Sequence, residues 1–172
     1  MYKLIDLFNK TQKERNNFFI LFEELPEDIW YSKQDEELWS PENTFRHLLS
    51  SITWLKNYFP DFDIEDSPYA LKYGTKPEGK VPLKEMKKEF DRITSGLKKE
   101  IEKLTPEQED EVIDTGYGIN TRAELIAGML LHDHSHFGQI VSTIKRIGDY
   151  SDQDLREKLI AAMKKQKETE EK

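Results

Sequence analysis

The chain has 172 residues, 36 % of them hydrophobic and 35 % charged, with a formal net charge of −8 and no cysteine. That length suits one domain with a core of its own, and the lack of thiols excludes disulfides, thiolate metal ligands and a cysteine nucleophile. The negative balance carries no basic stripe that would favour nucleic acid or an anionic membrane, no run nears the ~18 apolar residues that span a bilayer, and the opening MYKLIDLFNKTQKER lacks the pattern of a signal peptide, so a cytoplasmic protein is expected.

The elements read as helices throughout. Leu4, Leu7, Phe8, Phe18, Phe19 and Phe22 recur at steps of three and four and predict a first helix from about Tyr2 to Leu25, ended by Pro26. Ser40-Pro41-Glu42 has the form of a helix start, with Ser as N-cap, Pro at the first position and an acid in the first turn. The second helix then runs to about Phe59, before Pro60, with Phe45, Leu48, Ile52, Leu55 and Phe59 on its apolar side.

Residues 60–81 read as a long loop, after which Pro82 opens a third helix. Its stripe is Leu83, Met86, Phe90, Ile93, Leu97, Ile101 and Leu104, and Thr105-Pro106 interrupts it. Asp114 to Gly118 reads as a turn or loop. Thr121 to Glu124 is a capping box that opens a fourth helix reaching about Ile147, with Gly148 as its C-terminal cap. A short fifth helix follows Ser151, carrying Leu155, Leu159 and Met163, and the charged segment from Lys164 to Lys172 is expected to fray.

The fold class predicted is therefore all-α. A loop of some twenty residues is long enough to return along a helix and start its successor parallel to it. The long connection between the second and third helices thus points to an up-down-down-up four-helix bundle over residues 1–150, with the C-terminal helix and charged tail over residues 151–172.

Four histidines occur, at 47, 132, 134 and 136. At about 100° per residue, His132 and His136 stand about 40° apart on one face of the fourth helix. Leu125, Met129, Gln139, Ile140, Thr143 and Ile147 share that face, which is expected to point inward. His134 falls on the opposite side, toward solvent. A buried imidazole needs partners for both nitrogens, and a shared ion takes the lone pair of each ring in an i,i+4 pair. His47 shares a helix face with Thr44, Ser51, Trp54 and Tyr58, at the edge of the apolar side. A metalloprotease motif is excluded because Asp133, not Glu, follows the first histidine. The expectation is that His47, His132 and His136 converge near the bundle axis on one divalent transition metal.

These segments resemble the DinB-like (DinB/YfiT-like) metalloenzyme family. Ser40-Pro41-Glu42-Asn43-Thr44-Phe45-Arg46-His47-Leu48 is similar to that family's second-helix segment. His132 and His136, followed by Phe137-Gly138-Gln139-Ile140, are similar to its fourth-helix signature, with Phe137 standing where many relatives have Arg. The resemblance extends from the first helix to about Ile147. It implies a three-His site for zinc, nickel or a similar ion, often a homodimer, and activities that include hydrolysis and transfer reactions of low-molecular-weight thiols.

Three neutral imidazoles leave an ion its full charge and open positions, as in catalytic rather than structural sites. The function expected is that of a metal-dependent enzyme acting on a small molecule, as a hydrolase or as an S-transferase with a low-molecular-weight thiol cosubstrate. The alternatives are a non-catalytic metal-binding bundle and a bundle that binds a small molecule without metal. Gln139, Ser51 and Thr44 are candidates to support the ligands, with simple helix polarity an equal account of them; Trp54, Tyr58 and Met129 are candidates to wall a substrate pocket, although core packing is the stronger account of those three.

Overall fold

The computed structural model of the protein describes residues 3–36, 38–59, 64–71 and 75–170. Its long helices are α1 (Leu4–Glu23), α3 (Pro41–Leu55), α4 (Leu83–Lys103), α6 (Arg122–Gly148) and α7 (Asp152–Glu170). Short helices α2 (Glu27–Tyr31) and α5 (Pro106–Glu109) and strands β1 (Val112–Asp114) and β2 (Ile119–Thr121) lie between them. The chain is thus essentially all-α. Tyr2, Pro60 and the end of the charged tail at residues 171–172 lie outside the described residues.

The predicted starts of α3 and α6 are built as their residues dictate. The Ser40 hydroxyl accepts the Asn43 amide at 3.1 Å, and Pro41 occupies the first turn, where no amide is needed. Thr121 and Glu124 cap each other reciprocally at 3.1 and 2.8 Å. Pro82 is the N-cap of α4 rather than its first residue.

One apolar core holds the helices together. α1 lies against α4, α6 and α7, and α3 against α4 and α6. Met86, Phe90, Ile93, Leu97 and Ile101 of α4 are all buried, as their spacing predicts. Phe45 of α3 is the hub. Its ring centroid lies 4.9 Å from Phe19, 5.3 Å from Trp30, 5.4 Å from Phe90 and 6.3 Å from Phe137. One aromatic side chain therefore joins α1, α2, α3, α4 and α6.

The connection between α3 and α4 is tied down by two buried charges on α3. Arg46 donates to the carbonyls of Tyr69 at 3.0 Å and Glu78 at 3.1 Å. Glu42 accepts the Val81 amide at 2.9 Å and faces Arg46 at 3.4 Å. The Leu71 amide donates to the Arg46 carbonyl at 3.1 Å, and the Ser50 hydroxyl to the Leu71 carbonyl at 2.6 Å. A loop has no partner of its own for its backbone groups, and α3 supplies them.

Several expectations need correction. Pro26 does not simply end α1; it caps the five-residue α2, which buries Ile29 and Trp30. The second helix stops at Leu55 and continues as a single 3-10 turn over Lys56–Tyr58. The turn expected from Asp114 to Gly118 closes a small antiparallel hairpin in which Asp114 is the last residue of β1, with Val112 opposite Thr121 and Asp114 opposite Ile119. Gly116 adopts φ +74° in that turn, a conformation available to glycine without steric cost.

At the end of α6 the left-handed residue is Asp149, at φ 52°, not Gly148. Gly148 instead makes room for the Tyr150 ring, which a Cβ at that position would displace. The C-terminal helix is not short. It runs 19 residues to Glu170, through the segment expected to fray. Lys, Glu and Gln are good helix formers, and Leu155 and Ala162 are buried along it.

Truncating the aromatic hub tests the core. Phe45→Ala should lower the unfolding free energy by about 3–5 kcal/mol, measured as a shift of the urea midpoint at unchanged slope.

Candidate metal centre

His47 on α3 and His132 and His136 on α6 come together in the groove between the two helices. The Nε2 of His132 lies 3.3 Å from that of His47 and 3.1 Å from that of His136. The ring centroids stand 5.2, 4.9 and 4.5 Å apart in the three pairs. Three nitrogens about 2.05 Å from one tetrahedral ion stand about 3.3 Å apart, so these side chains fit such an ion with little movement. Their ligand atoms form a three-residue cluster that can hold a metal.

Hydrogen bonding alone does not account for this cluster. The Nε2 of His132 has one proton or one lone pair, yet it faces two other ring nitrogens. Protonation is also disfavoured. Burial, followed by the neighbouring His136 and His132, pushes His47 down to about 4. Burial likewise lowers His136, against the opposing hydrogen bond from Gln139. His47 and His136 are thus held toward the neutral form, with lone pairs to offer, which is the state a metal requires.

The surroundings of each ring follow from its helix position. His136 Nδ1 lies 2.7 Å from Gln139 Oε1, so its Nδ1–H donates to the amide and its Nε2 lone pair turns toward the cluster. Gln139 therefore bonds directly to one of the three rings. Ser51 and Thr44 do not bond to the rings: their hydroxyls donate to the carbonyls one turn back, Ser51 to His47 at 3.2 Å and Thr44 to Ser40 at 3.1 Å. Trp54 stacks edge-on against Tyr58 at 4.8 Å and faces Tyr117 of the hairpin turn at 6.4 Å. Met129 is half-buried against the core.

The expected inward face of α6 is displaced. Its buried stripe is Ile126, Leu130, Asp133, Phe137, Ile140 and Ile144, about one residue round from the histidines. His132 and His136 flank the core instead of pointing to the bundle axis, and the His132 side chain is 37 % exposed. The site is therefore open on one side. His134 points away, 64 % exposed and 2.8 Å from Glu14. Phe137 packs into the core against Phe18 at 4.8 Å.

Residues without a predicted role surround the site. Trp39 lies 5.1 Å from the His47 ring and, with Thr44, Gln139, Thr143 and Arg146, lines a cavity of about 430 Å³ beside the triad. It precedes the α3 cap and has no periodic partner, so no pattern marks it. Beneath the triad, Asp133 and Arg15 are buried charges. Burial raises Asp133, with His132 and Arg15 opposing, and lowers Arg15 to about 10, with Asp91 and Asp133 opposing. Arg15 interrupts the apolar stripe Phe8, Thr11, Arg15, Phe19, Phe22 at core spacing, and Asp133 does the same on α6. A charge in the register of a core stripe was the signal available for both.

An all-helical chain with three convergent imidazoles on two helices is the class of protein the geometry defines. A sequence model of the DinB superfamily matches residues 10–140, and the chain belongs to that superfamily. Its fold is similar to the crystal structure of a DinB-like protein, YjoA, from Bacillus subtilis. The TM-score is 0.59 at 22 % identity, over 85 % of this chain and 94 % of that one. Among curated proteins none matches the chain.

The depressed histidines have a consequence for the metal-free protein. The unfolded chain takes up protons near pH 6.5, whereas folded His47 does so only near 4. The unfolded state therefore binds more protons in this window, and stability falls as pH is lowered from about 6.5 toward 4. Urea midpoints at steps across that range should fall further for the wild type than for His47→Gln.

Proposed function

We propose that the protein is a metal-dependent enzyme in which His47, His132 and His136 hold one divalent transition metal, zinc or nickel. Its reaction is hydrolysis of a small molecule or transfer to a low-molecular-weight thiol cosubstrate. The observation that carries the reading is the approach of three ring nitrogens from two helices, with His132 Nε2 3.1 Å from His136 and 3.3 Å from His47. When bound, the ion supplies Lewis acidity toward a water, a thiol or a substrate oxygen. The chain has no cysteine, so a sulfur nucleophile arrives with the cosubstrate.

The chain's own groups supply the rest. Gln139 orients His136, and the aromatic Trp39 covers His47 on the side of the adjoining cavity. Trp54, Tyr58 and Met129 wall the substrate's approach along the groove; Trp54 sits two helical turns from His47, about 10 Å along the axis. The half-exposed rings favour catalysis over a purely structural ion, since structural sites are closed.

The scaffold of this reading is an up-down-down-up four-helix bundle of α1, α3, α4 and α6, with α7 added along α1. Contacts support it: Glu14 meets His134 and Phe18 meets Phe137, so α1 and α6 run together. Glu42 meets Val81 and Phe45 meets Phe90, so α3 and α4 run together. No described helix is long and apolar enough to cross a membrane, in keeping with a cytoplasmic setting. The exposed Val112, Ile119 and Leu131 offer apolar surface for a homodimer.

Elemental analysis of tag-free protein should find near-stoichiometric zinc or nickel, and His132→Ala should weaken binding by more than about 100-fold. A metal-free preparation that takes up no ion sinks the proposal. A metal-loaded protein that turns over neither esters or amides, nor an electrophile with any common cellular thiol, would leave a binding protein and not an enzyme.

A further inference from the structure

Four buried side-chain atoms without a hydrogen-bond partner belong to three residues around the triad's inner side: His132 Nδ1, Asp133 Oδ1, and Arg15 Nε and Nη1. The His132 and Asp133 atoms face each other. His132 Nδ1 is 3.7 Å from Asp133 Oδ1, somewhat longer than a hydrogen bond. Arg15 and Asp133 feel each other's charge in the core.

Arg15 is held by other groups. Its Nη2 donates to Thr94 Oγ1 at 3.1 Å and lies 3.6 Å from Asp91, while its guanidinium stands over Phe90. Asp133 has no such anchor. An ordinary buried ion pair would close on itself, and well-packed apolar residues of similar volume commonly serve a core as well or better. A carboxylate in a stripe of Ile126, Leu130, Phe137 and Ile140 therefore calls for a reason. The helix provides one. One residue is about 100° of rotation, so Asp133 sits on the core face while its carboxylate reaches the inner nitrogen of the flanking His132.

Resting on the three-His reading above, we propose that Asp133 is a positioning residue. Its carboxylate accepts the Nδ1 proton of His132, with Arg15 as buried countercharge, so that His132 presents its Nε2 lone pair to the ion. Closing the gap to a normal hydrogen bond takes about 0.9 Å, within reach of a side-chain rotation. His132 would then be set by a carboxylate as His136 is set by Gln139, and the Nδ1 of each ring would be committed to donation.

Two measurements test this. In metal-free protein, ¹⁵N NMR of the imidazoles at pH 8 should show His132 as the Nδ1–H tautomer, and in Asp133→Leu as mainly Nε2–H. A wild-type His132 that is mainly Nε2–H overturns the proposal without reference to any metal.

In the second, cobalt(II) alone is the probe, followed by its visible absorption. Asp133→Leu should bind it about 10–100-fold more weakly, with Asp133→Asn, which keeps an oxygen but not the charge, in between. The double variant Arg15→Met/Asp133→Leu removes both charges from the core. It should melt no lower than wild type while showing the same loss of affinity, which separates positioning from stability. Equal cobalt affinity in folded wild type and the double variant overturns the proposal. A wild type that shows the Nδ1–H tautomer, lost in the variants, yet binds no cobalt would leave the Asp133–His132 contact standing and remove the metal instead.

Discussion

Three imidazole nitrogens brought within 3.3 Å in a chain cannot all keep their protons, and they cannot satisfy one another with single lone pairs. The fold maintains this crowding because the helices beneath are locked. Phe45 lies two residues before His47, and Phe137 directly follows His136; their rings meet at 6.3 Å under the triad. The aromatic contact sets how closely α3 and α6 approach, and the histidines inherit that spacing. Core packing is therefore what brings the three rings to one point.

The same helices carry two kinds of polar group in their buried faces, with different work. Glu42 and Arg46 satisfy backbone groups of the crossover and so tie Tyr69, Glu78 and Val81 to α3. That lacing brings α4 to the core beside α3. Asp133 and Arg15 instead keep buried polar atoms that no hydrogen bond satisfies. Their placement behind His132 connects the core to the site. In both cases a charge in an apolar stripe marks a position where packing alone is insufficient.

The openness of the site follows from a rotation of one residue. Had His132 and His136 occupied the stripe of Ile126, Leu130 and Phe137, they would be enclosed and inaccessible to a substrate. On the flank they are half-buried, with Trp39 on one side and the aromatic group of Trp54, Tyr58 and Tyr117 along the groove on the other. Burial is sufficient to depress His47 and His136, yet one side stays open.

The amino-acid pattern by itself determined the helical class, the starts at Ser40 and Thr121, the α4 stripe and the three histidines as a set, because caps and periodic burial are local properties of a chain. It could not separate Gln139, which bonds to His136, from Ser51 and Thr44, whose hydroxyls turn back to their own helix. Only the tertiary structure decided which face of α6 is the core, since two apolar-rich faces one residue apart have nearly the same periodicity and the choice falls to the neighbouring helices. It also decided that Arg46 and Glu42 hold the crossover, that Trp39 covers His47, and that Arg15 meets Asp133 across 118 residues of chain. Those contacts arise between segments distant in sequence, and no spacing within one helix encodes them.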